Sequence, residues 1–153
     1  MNCFKSIALV ILLSVVSGCA TMYEAPKANE PMSIVRVKNE RTGLATWMHS
    51  QVDAIDNKTA GLKLFSGNVR IHPGVHTLTV LTEFNKGFLS SGPYQAFSDV
   101  QANFKAGETY TIQASTSGAQ VLVWITDSAG RKVSPVSSTG YRIAPKNTVI
   151  VMH

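Results

Sequence analysis

At 153 residues, with 44% apolar and 15% charged side chains, the chain has the make-up of one compact globular domain, which excludes a disordered polymer. Its net charge of +5 is thinly spread. Lys5 sits in an N-terminal leader, and basic residues such as Arg36, Lys58, Arg70, Lys105 and Arg142 are scattered without a clustered stripe or interleaved aromatics, so no nucleic-acid partner is expected.

Residues 1–18 have the form of a cleavable signal peptide. Lys5 precedes the apolar run Ile7 to Leu13, which Val15 and Val16 continue after Ser14. A bilayer-spanning helix needs about 20 apolar residues, and this run is about half as long. Val16-Ser17-Gly18-Cys19 follows at once and resembles the lipobox of bacterial lipoproteins. The resemblance implies that the Cys19 thiol takes a diacylglyceryl group and that cleavage leaves Cys19 as the acylated N-terminus. Each buried acyl methylene contributes about 0.8 kcal/mol, so two or three chains would hold the protein at a membrane. Ala20 and Thr21 stand where an Asp would favour the inner membrane, and by the same resemblance the address is the periplasmic face of the outer membrane. Cys3 leaves with the leader and only Cys19 remains, so neither a disulfide framework nor a cysteine-based metal site is expected.

Residues 19–32 form the lipidated tether. Pro26, Pro31, Glu24, Lys27, Asn29 and Glu30 give it little apolar periodicity, and it reads as an extended linker reaching up to about 40 Å. The alternative is that it packs along the domain.

From residue 33 to 153 the dominant period is two, the mark of half-buried strands. Ile34 to Val37 opens the series. Leu44 to Met48 and Val52 to Ile55 read as two strands, and Asp56-Asn57-Lys58-Thr59 as a turn. Leu62 to Phe65 is too short to decide between a helical turn and a loop. Val69 and Ile71, then His76, Leu78 and Val80, predict two strands meeting at Pro73-Gly74. Val100, Ala102 and Phe104, then Tyr110, Ile112 and Ala114, predict a hairpin across Lys105-Ala106-Gly107-Glu108. Gln120 to Asp127 is apolar on both faces, which predicts a central strand covered on both sides. Arg131 to Val136 reads as an edge strand, and Tyr141 to Ala144 and Thr148 to Met152 as the last ones. Seven to nine short strands so spaced predict an all-β fold, a two-layer antiparallel β-sandwich of immunoglobulin-like or transthyretin-like kind.

Two phrases carry a further resemblance. Pro73-Gly74-Val75-His76-Thr77-Leu78-Thr79-Val80 and Ala106-Gly107-Glu108-Thr109-Tyr110-Thr111-Ile112 are similar to the "PGxHxLxV" strand and "AGxxYxI" hairpin of a group of small Gram-negative envelope lipoproteins. The resemblance covers about half of the chain after the leader and implies a sandwich fold and a periplasmic address, without an activity.

Candidate chemistry is sparse. His72 and His76 would need converging rings and a third ligand such as His49, an acid or His153 to hold a metal, and alternation along a strand works against it. Asp53 and Asp56 flank a turn that explains Asp56-Asn57 better than acid–base chemistry does. No Gly-x-Ser-x-Gly elbow, Ser-x-x-Lys pair, Cys/His couple or phosphate loop follows the leader, so no catalytic residue, metal or cofactor is expected. Asn85 to Ser98 reads as a long loop with Phe88, Leu89, Tyr94 and Phe97 among glycines and serines. Phe88, Tyr94 and Phe97 are the expected contacts for an envelope protein partner, the rival reading being a lid on the sandwich. The expected function is a lipid-anchored, non-catalytic binding or assembly module. The alternatives are an accessory subunit of a secretion or surface assembly and, further off, a small hydrolase or metal carrier.

Overall fold

The computed structural model describes residues 21–41, 43–61 and 67–145. Eleven strands are found there: β1 (Ser33–Val37), β2 (Glu40–Arg41), β3 (Thr46–Ile55), β4 (Lys58–Thr59), β5 (Asn68–Ile71), β6 (Gly74–Lys86), β7 (Tyr94–Phe104), β8 (Thr109–Ser117), β9 (Gln120–Thr126), β10 (Ser137–Gly140) and β11 (Arg142–Ile143). They form a two-layer sandwich. One sheet runs β10-β9-β8-β1-β5, and the other runs β11-β7-β6-β3-β2 with β4 added beside β3. The count is higher than the seven to nine expected because β2, β4 and β11 are two-residue edge pieces too short for alternation to reveal. Among these eleven strands pairing is antiparallel except between β1 and β8, which run parallel.

Alternation built this core. On β6 and β7, Leu78, Val80, Phe84, Val100, Ala102 and Phe104 turn inward to meet Val35, Ile71, Tyr110, Ile112, Val121, Val123 and Ile125 of the opposite sheet. Each large side chain so enclosed contributes about 1.5–3 kcal/mol. Two departures from strict alternation matter. β3 is one continuous strand rather than two, because Ser50 at its middle is buried and its hydroxyl lies 3.0 Å from that of Thr82 on β6. A bulge at Asp53 shifts the register between Val52 and Ala54, so that Val52 and Ile55, which differ in parity, both face the core.

The expected hairpin at Lys105–Glu108 is an arch instead. β7 and β8 lie in different sheets, and the chain crosses the sandwich between them. Three bonds fasten the crossing: the Lys105 N–H donates to Tyr110 Oη at 3.0 Å, Ser33 Oγ donates to the Lys105 carbonyl at 2.8 Å, and the Gly107 N–H donates to the Met32 carbonyl at 2.7 Å. Phe104 and Tyr110, the residues on either side of the arch, meet edge to face across the core at 5.0 Å. β5 and β6 are likewise parted at Pro73, one in each sheet, so the strands meeting there do not pair. The short-turn hairpins include β3–β4, β6–β7 and β8–β9, and β2–β3 and β9–β10 also pair antiparallel across longer connections. At the first, Asp56 and Asn57 have φ of 50° and 61°, the left-handed pair that a two-residue primed turn demands.

Three further expectations change. Val133 bonds to Ile125, but the edge strand is Ser137–Gly140, beyond Pro135. β9 is one place in from that edge, and among the described residues no layer covers its second face: Leu122 and Trp124 are half-buried, with Lys132 Nζ 5.0 Å from the Trp124 ring. Residues 21–32 take the packed alternative. Met22 bridges Thr59, the Tyr23 N–H donates to the Thr59 carbonyl at 2.8 Å, and Pro26 is buried. Cys19, Leu62 to Phe65, Thr148 to Met152 and His153 lie outside the described residues.

The Ser50–Thr82 pair makes a clean test. Thr82→Val leaves the Ser50 hydroxyl buried without its partner and is expected to cost about 1–3 kcal/mol in urea unfolding. Adding Ser50→Ala should return most of that loss, since neither polar group then remains.

Candidate functional site

Strand direction gives the sandwich two ends. β3 and β7 start, and β6 stops, at one end, which holds the β6–β7 loop, the β2–β3 loop, the β8–β9 turn and β11. We call it the loop pole. At the other end lie the Asp56–Asn57 turn, Pro73–Gly74 and the Lys105–Glu108 arch.

At the loop pole the connection between β6 and β7 is residues 87–93, shorter than the sequence suggested, because β7 begins at Tyr94. Its base is tied by Asn85, whose Oδ1 accepts from the Gly87 N–H at 3.3 Å and from Ser90 Oγ. The Ser90 N–H donates to the Gly87 carbonyl at 3.1 Å and closes a β-turn with Phe88 and Leu89 at its centre. Gly87 adopts φ of 129°, a backbone shape that other residues avoid. With the turn closed, Phe88 and Leu89 project into solvent at 91% and 98% exposure. Leu44 joins them at 96%, on the loop that enters β3 at Thr46, the register partner of Lys86 where the Phe88 loop begins.

The three expected contact residues therefore separate. Phe88 is at the tip. Tyr94 is half-buried, packed 5.5 Å from Phe84 and 5.2 Å from Tyr141, whose ring also stands edge-on to Phe84 at 5.0 Å. Lys86 Nζ sits 4.4 Å from the centre of the Tyr141 ring and completes the cluster. Gly92 makes room for it, since a Cβ there would lie 2.9 Å from the Tyr94 ring. Phe97 faces outward from β7 at 41% exposure, opposite Leu81 on β6, on the flank of the sheet rather than at the pole. Leu89 follows Phe88 in the same turn, and Leu44 is exposed on the loop that enters β3 at the same pole. Leu44 escaped sequence reading because Leu44-Ala45-Thr46-Trp47-Met48 looks like continuous strand.

Behind this tip the two sheets part. A cavity of about 300 Å³ opens between β2, β3 and β6 on one side and Ala114, Ser115 and Thr116 of β8 on the other, with Trp47, Met48 and Phe84 in its wall and Glu40 and Lys86 at its margin. That volume is at the small end of the range for ligand sites.

At the opposite end, His76 and Asp56 share a hydrogen bond of 2.6 Å, and the second Asp56 oxygen accepts the Thr77 N–H at 2.9 Å. Burial works against ionisation of Asp56, but the bonds from His76 and Thr77 and the charges of His76 and Lys58 outweigh it and hold the carboxyl below its ordinary value. Both oxygens thus fasten the turn to β6 and are not shared with Asp53. The His76 ring lies 6.2 Å from that of Phe104, and its Nε2 is buried without a hydrogen-bond partner among the described residues. His72 packs against Tyr23, ring to ring at 6.2 Å. Burial raises the Tyr23 hydroxyl above its usual value, against the lowering effect of the His72 N–H it accepts. Among the described residues no three His, Cys, Asp or Glu side chains come together, and no helix is long and apolar enough to cross a membrane.

Comparison with known protein families, characterised proteins and solved structures finds none that matches this chain.

Two outcomes follow from these placements. Phe88→Ala should leave unfolding within about 0.5 kcal/mol of wild type, whereas Tyr94→Ala should cost about 1–3 kcal/mol by opening the Phe84–Tyr141 cluster. Because the Asp56 carboxyl is depressed in the folded state, its contribution is present above the ordinary carboxylate pKa of about 3.9 and is lost as pH falls through the lower folded value. The stability advantage of wild type over Asp56→Asn should accordingly narrow as pH drops below about 4, measured by denaturant titration at each pH.

Proposed function

We propose that this protein is a lipid-anchored envelope protein, held at the periplasmic face of the outer membrane by acyl chains on Cys19, whose sandwich is a non-catalytic binding module. Its contact with an envelope protein partner runs through the loop pole. The reading is carried by one observation: Phe88 and Leu89 occupy the centre of a turn tied at its base by Asn85, yet both are more than nine-tenths exposed. A loop free to collapse would bury them. Held outward at the pole where Leu44 is also exposed, they give an apolar tip of the kind that partner surfaces use at their centre. The anchor half of the reading rests on Val16-Ser17-Gly18-Cys19 at the end of a short apolar leader.

Each half has its own test. Cells fed a clickable fatty acid should label the wild type and not Cys19→Ser, which should move to the soluble fraction. A photo-crosslinking residue in place of Leu89 should capture a discrete envelope protein in living cells. Phe88→Ala in that background should lower the yield at least several-fold with thermal unfolding unchanged. An unaltered yield would remove the loop pole as the contact.

A further inference from the structure

The first described residues do not behave as a free tether. The Thr59 N–H donates to the Thr21 carbonyl at 3.0 Å, the Tyr23 N–H returns to the Thr59 carbonyl at 2.8 Å, and Met22 and Thr59 form a parallel bridge. Thr21 to Tyr23 thus adds a short strand beside β4. Tyr23 packs against the core, and its hydroxyl accepts the His72 N–H at 3.0 Å. Farther on, Glu30 closes a turn on Lys27, its N–H donating to the Lys27 carbonyl at 3.1 Å and its carboxylate accepting the Lys27 N–H at 2.9 Å. Met32 then accepts from Gly107 at the arch. From Thr21 onward the segment is fastened at both ends and along its length.

Cys19 is two residues before Thr21 in the chain. Two residues reach at most about 7 Å, against about 40 Å for a free linker of the whole segment. Thr59 stands at the end of the sandwich that carries the Asp56–Asn57 turn, opposite the loop pole. Met22, 70% exposed, and Val75, 61% exposed, are apolar groups at this end.

We propose that the Asp56–Thr59 end of the sandwich is a membrane-facing surface, seated on the lipid headgroups that hold Cys19, with Thr21–Tyr23 as a docked stem that fixes the domain's orientation. This rests on the acylated Cys19 of the proposed function and adds to it which face meets lipid. The Asp56–Thr59 turn stands level with Thr77 to Thr79 of β6, and the nine residues from there to Lys86 span about 30 Å at 3.3 Å per residue, so the Phe88–Leu89 turn stands about that far from the bilayer. The exposed residues at the turn and the arch carry charges of both signs, Lys58 and Lys105 against Asp56 and Glu108. The stem, rather than attraction to anionic lipid, therefore sets the contact, and the orientation should be insensitive to salt.

The test uses the full-length acylated protein in phosphatidylethanolamine–phosphatidylglycerol vesicles carrying a headgroup nitroxide. A fluorophore is placed on Lys58→Cys or Leu89→Cys, both positions exposed. Fatty-acid labelling of the same preparation verifies acylation separately. The expected result is several-fold stronger quenching at position 58 than at 89, equal at low and high salt. An eight-residue Gly-Ser insertion between Ala20 and Thr21, which leaves the folded domain untouched, should keep quenching at 58 low by lifting the domain away. Equal quenching at the two positions in acylated protein, or stronger quenching at 89, overturns the orientation and leaves the anchor standing. Absence of acyl label overturns the anchor and the orientation together.

Discussion

Everything in this molecule depends on the facing of β6 and β7 against β8 and β9 across one shared core. β6 and β7 pair from Gly74–Phe104 to Phe84–Tyr94, the longest register in the molecule. Their inward residues are apolar almost without exception, so the two strands form a stiff plank on which the rest is laid. The buried hydroxyls among the exceptions are managed by pairing, while His76 bonds Asp56 through Nδ1 alone. Thr82 finds Ser50, and Ser98 donates to Thr139 at 3.2 Å, linking β7 to β10 of the other sheet. A buried hydroxyl left single would cost about 1–3 kcal/mol, which is why each comes with a partner. The arch at Lys105–Glu108 then joins the plank to the second sheet, and the bonds from Ser33 and Tyr110 set where that sheet lies.

How much of this was legible in the sequence follows from what alternation reports. A period of two tells which face of a strand is apolar, and it located β8, β9 and most of β6, but only the second half of β7, because Tyr94 to Ser98 read as loop. It does not tell which strand lies beside which. A four-residue connection containing Gly107 serves a hairpin within one sheet or an arch between two, and only the distant partners Met32 and Ser33 decide for the arch. The same limit hid the crossing at Pro73. Ser50 concealed the middle of β3 because a lone polar residue at an inward position reads as a break unless Thr82, thirty-two positions away, is known to meet it. The Asp56–Asn57 turn was legible because its chemistry is local, the two residue types that tolerate φ above zero standing side by side.

The candidate site divides along the same line. Loop composition between Asn85 and Ser98 drew attention to this stretch, but the start of β7 at Tyr94 sorts its aromatics into three environments. Phe88 is outside, Tyr94 is in the packed end, and Phe97 is on the flank. Residues with equal claims by composition thus differ in what they do: Tyr94 holds the pole together and Phe88 is free to meet something else. Stability at this end comes from Phe84, Tyr94 and Tyr141 with Lys86 above them, so the tip can be exposed at little cost to the fold.

The two ends of the sandwich also differ in what holds them. The Asp56 end is closed by its turn, by the His76 and Thr77 bonds, and by the docked Thr21–Tyr23 strand. The loop pole ends in projecting side chains and an open cavity. On the proposed anchoring, that asymmetry has a consequence for recognition. A domain swinging on a long flexible linker presents every face in turn and must give up that freedom on binding. A domain seated by a short stem has given it up already, and it holds Leu44, Phe88 and Leu89 at one height and one tilt above the lipid. Part of the orientational cost of association is then met before a partner arrives, so a small apolar tip can suffice where a free domain would need a broader surface.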